Sequence, residues 1–305
     1  MQNASLKDFL HLHIIVFIWG FTAVLGALIS IDALPLVWYR MGFASLVILV
    51  YIKVKKISLS TQPKTLAVMI GAGMLIALHW ITFFGAIKIS NVSITLAMMS
   101  TGAFFTSLLE PIFYKRKIIG YELIFGLLVI AGLYLIFKVE TRFTSGILVA
   151  LLSALLAALF TLINGKLVKN HHPVKISFFE MLSGALSVSV FLAITSRFNS
   201  EFFQLQNSDW LYLAVLAVVC TAYAFIASVS VMRNLSPYTV MLTTNLEPVY
   251  GIILAFIILG DSEKMHMSFY LGALLILITV ILNGIFKTRQ RKRVQRALQN
   301  SNMSS

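Results

Sequence analysis

Long apolar blocks, each closed by a short polar or basic gap, follow one another along the whole chain. A block of roughly 18–25 residues is what a helix rising about 1.5 Å per residue needs to cross a hydrocarbon core of about 30 Å. Ten spans are predicted, at about 12–30, 35–52, 65–87, 92–114, 119–137, 145–165, 174–195, 210–232, 237–260 and 268–286. The gaps carry turn and charge signals, among them "SIDALP", "KVKKISLSTQPK", "KNHHPVK" and "GDSEKMHM". No gap is long enough for a soluble domain. The expected fold is an all-α membrane protein of ten transmembrane helices.

The pattern also repeats. Setting the end of the third span and the fourth against the eighth and ninth puts Ser90 on Ser236 and Ser93 on Thr239, with a basic residue closing each third helix. A similar shift lays "WYRMGFASL" on "FFEMLSGAL", so Arg40 corresponds to Glu180. Five spans per half is an odd number, so the second copy enters the membrane from the other side. Such inverted repeats place a binding site near mid-membrane and alternate its access by rocking one bundle against the other. Residues 1–140 form the first expected repeat, 141–286 the second, and 287–305 a basic tail.

Composition agrees with this reading. Hydrophobic residues make up 59% of the chain and charged ones 11%, where a soluble domain carries about a quarter. The first block is too long for a signal-peptide core and runs straight into a second span, so it is expected to be a retained helix. A single cysteine, Cys220, excludes an intramolecular disulfide and any Cys-based metal cluster, and no cofactor is expected. The net charge of +13 does not point to nucleic acid, because the basic residues fall in the gaps. With the N-terminus inside, eighteen of the 24 Lys and Arg lie on the inner side and five on the outer. That bias places both termini in the cytoplasm, and "KTRQRKRVQR" reads as an anchor at anionic lipid.

A charge at mid-bilayer costs about 2.5–3.5 kcal/mol on insertion scales, so the few ionisable groups deep in spans should face protein or water. They are Arg40, His79, Glu180 and Glu247, with Glu110 near a helix end, where snorkelling or a pair with Lys115 would explain it. Glu247 is the strongest. It lies about 16 Å along its helix from Ser236, beside Asn245, Thr243 and Thr244. Pro248 follows, lacks an N–H, and should kink or open the helix there. The released carbonyls are tolerable only against protein or a cavity. Glu247 is thus a candidate substrate contact and proton carrier; the bland alternative is a neutral acid joining two helices.

Arg40 could grip a substrate carboxylate in bidentate fashion, or merely snorkel. Glu180 is a candidate gate or ion-relay carboxylate. His79, Trp80 and Phe83, with Trp19 at mid-depth, suggest an aromatic cavity wall with a titratable ring; ordinary helix packing is the competing account. Tyr223, Asn164 and Tyr250 are weaker candidates of the same kind.

"WG" at Trp19–Gly20, the arginine at Arg40 and "EPVYGIILAFIILGD" at 247–261 resemble the EamA-type transporters of the drug/metabolite transporter superfamily. The resemblance covers nearly the whole chain. It departs where Asp261 replaces the glutamate of the family's "lgE" pattern, and where Gly102 matches Pro248 in the first repeat. It implies ten helices in two inverted halves around a central cavity, with Trp19, Arg40, Glu247 and Pro248 lining or gating it. It also implies export of amino acids or other small metabolites across a bacterial inner membrane. The partners expected are a small-molecule substrate, protons and membrane lipids, with oligomeric state open.

Other functions have less support. Asp8, Asp32, Asp209 and Asp261 are all expected in loops or tails, which disfavours paired intramembrane aspartates. H-E-x-x-H, G-x-S-x-G and P-loop sequences are missing, so no enzyme is expected. A multidrug or organic-cation carrier, a nucleoside carrier, and a non-transporting scaffold or receptor stay as alternatives.

Overall fold

The computed structural model describes residues 5–115 and 120–303. Arg116 and Lys117, counted above on the inner side, lie outside them. In chain order the helices are α1 (Leu6–Leu28), α2 (Ala33–Lys55), α3 (Pro63–Ile89), α4 (Val92–Met99), α5 (Gly102–Tyr114), α6 (Gly120–Val139), α7 (Thr144–Leu167), α8 (Pro173–Ile194), α9 (Asn207–Ala217), α10 (Ala224–Val231), α11 (Pro237–Thr244), α12 (Glu247–Leu259) and α13 (Met267–Met303). Among the described residues nine segments are long and apolar enough to cross a membrane, and α6 supplies a shorter apolar stretch, Ile124–Val139. Three spans are composite: α4 with α5, α9 with α10 through a π-helical turn at Val218–Tyr223, and α11 with α12. The backbone of α13 stays helical to Met303, so helix runs on through residues 287–303.

Local chemistry accounts for the helix starts. Ser5 and Asp8 form a reciprocal capping box on α1. Proline stands in the first turn of α3, α8 and α11, where its missing N–H leaves no bond unmade. The Asn91 side chain accepts from Ile94 N at 2.9 Å, and Ser236 accepts from Thr239 N at 3.1 Å. These two caps open the fourth and ninth spans. Leu, Ile, Val and Phe project outward from most helices, among them Leu46, Val50, Leu127 and Ile257, as lipid contact requires.

The halves interlock. α1 packs on α12 and α7 on α5, the same pairing with the halves exchanged, while α2 packs on α8 and α6 on α13. The α6–α13 contact brings backbone against backbone: a side chain at Gly132 would lie 3.0 Å from the Gly272 carbonyl, and one at Gly272 would lie 2.9 Å from that of Gly132. Small residues give membrane helices this close approach.

Three buried carboxylates hold the membrane face away from the N-terminus. Glu263 accepts from Val92 N at 3.1 Å and from Ser93 N and Ser93 Oγ, both at 2.8 Å. Asp209 accepts from Ser30 N at 2.8 Å and Ser30 Oγ at 2.5 Å. Glu140 accepts from His266 N at 3.2 Å and lies 3.6 Å from Arg142. Asp209, expected in a loop, stands in the first turn of α9, fully buried. Asp261, at the "lgE" position, is exposed and pairs with Lys264 at 2.7 Å; Glu263, two residues on, reaches across to the other half. Glu263→Ala should lower stability by about 2 kcal/mol, since it strips the acceptor from buried N–H groups at a helix start. Asp261→Ala should leave the thermal midpoint in detergent unchanged. Equal effects would refute this assignment.

Candidate functional site

A central cavity forms where the ninth span breaks. α11 ends at Thr244 and α12 begins at Glu247, with Asn245 and Leu246 between them. The Thr243 and Thr244 hydroxyls donate to Thr239 O at 3.0 Å and Val240 O at 2.9 Å, taking up carbonyls of the preceding turn. Pro248 therefore lies in the first turn of a new helix, and the break falls just before the expected kink. Glu247 opens that helix, where its carboxylate meets the positive end of the helix dipole. Asn245 is buried, and its Nδ2 has no hydrogen-bond partner.

The fourth span breaks likewise, at Ser100 and Thr101, and α5 starts at Gly102. Cap Asn91 answers cap Ser236, Ser100 answers Asn245, and Gly102 answers Glu247. The structural register is thus one residue away from the sequence match, which set Gly102 against Pro248. A helix break is common to both halves; the carboxylate belongs to the second alone.

Arg40 enters from α2 and is buried. Its Nε donates to Thr221 Oγ1 at 2.7 Å. Thr221 lies in the π-helical turn and donates in turn to Leu216 O at 2.7 Å, five residues back. Widened turns of this kind recur at functional positions, and here one orients a hydroxyl toward a cation. The guanidinium carbon sits 3.7 Å over the Trp80 ring and 5.4 Å from that of Phe84. Nη1 has no hydrogen-bond partner.

His79 on α3 meets Ser153 on α7. Nδ1 lies 3.0 Å from Ser153 O and 2.8 Å from Ser153 Oγ, which also lies 2.9 Å from His79 O. Donation from Nδ1–H to the carbonyl leaves Nε2 as the acceptor nitrogen. The bland account of His79, satisfied by a carbonyl, and the cavity-wall account both describe its position.

Trp19, Arg40, His79, Trp80, Phe83, Asn164, Asn245 and Glu247 line this one cavity. About 820 Å³ of atom-free space lies between the walls and mouth, of which about 70 Å³ can take the centre of a water molecule. At about 10–15 Å³ per site that is room for a handful of waters, so the hollow is narrow. Sequence reasoning missed Phe160, Phe225, Thr161 and Ser228, which complete the wall; the small polar residues in mid-span were the available signal. Two expectations are corrected. Tyr223 is 47% exposed and meets His11 Nε2 at 3.0 Å in a separate apolar groove. Tyr250 packs edge-on against Phe17, 5.6 Å between ring centroids, where α1 and α12 touch. Tyr223 points outward and Tyr250 into the seam between two helices, and neither lines the cavity. Glu180 is fully buried behind the wall, bonded to Asn164, and Glu110 is buried in α5 away from it.

A polytopic helical bundle with broken spans, and with polar groups gathered at the breaks, has the build of a membrane transporter. Residues 9–138 and 144–285 each match the EamA-like transporter family, and the chain belongs to that family. A relative from Clostridium kluyveri described as an uncharacterized transporter is 23% identical over 241 residues, covering 76% of each chain. One solved crystal structure superposes with a TM-score of 0.68 over 94% of this chain and 99% of its own, at 13% identity; that likeness concerns the fold. The protein is an integral membrane transporter.

The cavity wall can be tested by thiol chemistry, since thiolates form in water and not in lipid. In a Cys220→Ala background, Ser228→Cys should react with a hydrophilic thiosulfonate at least about tenfold faster than Tyr223→Cys. The reverse order would place water on the wrong side of the eighth span.

Proposed function

We propose that this transporter is a secondary exporter of amino acids or similar small zwitterionic metabolites. It works by alternating access across a bacterial inner membrane, with both termini in the cytoplasm. The reading rests chiefly on one observation: a buried guanidinium with an unpartnered Nη1 shares a narrow aromatic cavity with a carboxylate. Asn245 adds a second free donor there. A substrate carboxylate would take Arg40 Nη1 and Asn245 Nδ2, and a substrate ammonium would lie toward Glu247. Trp80, Phe160 and Phe225 would enclose its apolar part. A purely cationic drug would meet Glu247 but leave the donors of Arg40 Nη1 and Asn245 Nδ2 without an acceptor, which disfavours the organic-cation alternative. Glu247 doubles as the group that hands a proton across when substrate leaves, so export is coupled to proton influx.

Counterflow in liposomes tests this. Zwitterionic amino acids should exchange, and the matching amines without a carboxylate should not. Arg40→Lys should weaken carboxylate substrates by about 2 kcal/mol, roughly thirtyfold, because one compact ammonium replaces a planar group that bonds Thr221 through Nε while Nη1 is held toward the substrate. Glu247→Gln should abolish the pH dependence of flux. Exchange of decarboxylated amines as fast as their parent amino acids would overturn the reading.

A further inference from the structure

Behind the cavity wall lies a second polar cluster that the substrate reading leaves unused. Glu180 on α8 is fully buried, as are Asn164 on α7 and Ser177, one helical turn before Glu180. Asn164 Nδ2 donates to Glu180 Oε2 at 3.4 Å. Among the described residues three oxygens of the group have no hydrogen-bond partner: Glu180 Oε1, Asn164 Oδ1 and Ser177 Oγ. Among the described residues no cationic side chain pairs with Glu180.

The neighbouring charges are committed elsewhere. Arg40 of α2 is held by Thr221 and Trp80, and His79 of α3 by Ser153. Lys166 of α7 lies over the Phe113 and Tyr114 rings, and Lys175 of α8 itself donates to Ser60 O at 2.7 Å. Lys88 of α3 donates to Ile29 O. Lys53, Lys55 and Lys64 are exposed at helix ends, and none of the eight residues of α10, Ala224–Val231, is ionisable.

A bare carboxylate that meets one amide N–H in a dry interior, with two further unpartnered oxygens on its neighbours, is electrostatically untenable. A positive charge at that point supplies the partner that Glu180 Oε1 lacks. A proton on Oε1 would donate to Asn164 Oδ1 and complete the two-bond acid–amide ring that the Nδ2–Oε2 contact begins. A sodium ion would instead be ligated by the carboxylate, the carboxamide and the hydroxyl, all hard oxygen donors. We propose that Glu180, Asn164 and Ser177 form a binding site for a monovalent cation, proton or sodium, next to the substrate cavity.

Asn164 belongs to the cavity wall and to this cluster, so it is the side chain through which the two sites meet. On the other side, Gly73 of α3 lies so close to the Glu180 backbone that a Cβ there would stand 2.9 Å from Glu180 Cα. The site therefore sits where a helix of one half bears on a helix of the other, and its occupancy bears on their fit. A coupling role rests on the carrier reading above; cation binding itself does not.

The test uses the purified full chain in lipid nanodiscs. Infrared difference spectra between wild type and Glu180→Gln report a protonated carboxyl at Glu180 by its C=O band. Unfolding midpoints in sodium chloride against choline chloride report sodium. A band at neutral pH that Glu180→Gln removes establishes the proton. A sodium-dependent rise in midpoint that Glu180→Gln abolishes, and that Ser177→Ala shifts to at least about tenfold higher sodium, establishes the ion. Glu180→Gln should fold, because its amide N–H supplies the missing donor to Asn164. An ionised Glu180 with no sodium response overturns the proposal. Failed counterflow alongside either positive result would reject the carrier reading and leave the cation site standing.

Discussion

A hydrocarbon solvent offers no partner to a backbone amide or a charge, and this single constraint shapes every polar feature of the molecule. Ten spans keep their backbones helical, and where two of them open, at Ser100–Thr101 and Asn245–Leu246, they do so inside the bundle. The hydroxyls of Thr101, Thr243 and Thr244 take up carbonyls beside the breaks. Arg40 finds a threonine and an aromatic face, and His79 finds a serine. Among the described residues this accounting fails at Arg40 Nη1, Asn245 Nδ2, the oxygens around Glu180 and Asn283 Oδ1, and all but the last lie on the central cavity or next to it. In such a solvent an unmet bond inside the protein is a request for a ligand.

The two halves share a backbone plan and divide the chemistry unequally. Helix caps, mid-span breaks and the α6–α13 glycine contact recur in both. At the break, however, Gly102 stands opposite Glu247, and Arg40 stands opposite Glu180. Duplication supplies the hinge geometry twice, and substitution on one copy supplies the charges. The cation faces the cavity while its counterpart carboxylate is withdrawn behind Asn164, so equivalent positions do unequal work.

The sequence made the spans legible because each needs only length and apolarity. The deep ionisable residues were legible for the same reason, since each is an exception in an apolar run. What it could not supply was rotation about the helix axis. When lipid and protein core are both apolar, the two sides of a span look alike, so Tyr223 and Tyr250 read as wall residues though they lie outside the cavity. Phe160 and Phe225, in the wall, carried no mark. The π-helical turn at Val218–Tyr223 was equally hidden, because its sequence is ordinary helix-compatible residues. Glu263 was missed for another reason: it sits in a polar gap, and burial of a loop carboxylate depends on a partner 170 residues away.

The distribution of clasps gives the carrier reading a direction. The face opposite the N-terminus is tied across the two halves by Glu263 on the start of α4, Asp209 on Ser30 and Glu140 on His266, all with carboxylates buried. Among the described residues the N-terminal face has lighter ties: an Asn234–Asp8 contact at 3.1 Å and the Lys175–Ser60 contact, both exposed, and a Tyr114 hydroxyl that donates to Leu162 O at 3.4 Å. Exposed pairs exchange readily with water, and each is worth less than about 1 kcal/mol. Charge-assisted bonds to buried N–H groups are stronger, about 1.5–3 kcal/mol each. Opening toward the N-terminal face therefore breaks less than opening toward the other. On the proposed reading, with that face turned to the cytoplasm, this conformation would load substrate from inside, and the outer clasps are what a bound substrate or cation would have to help release.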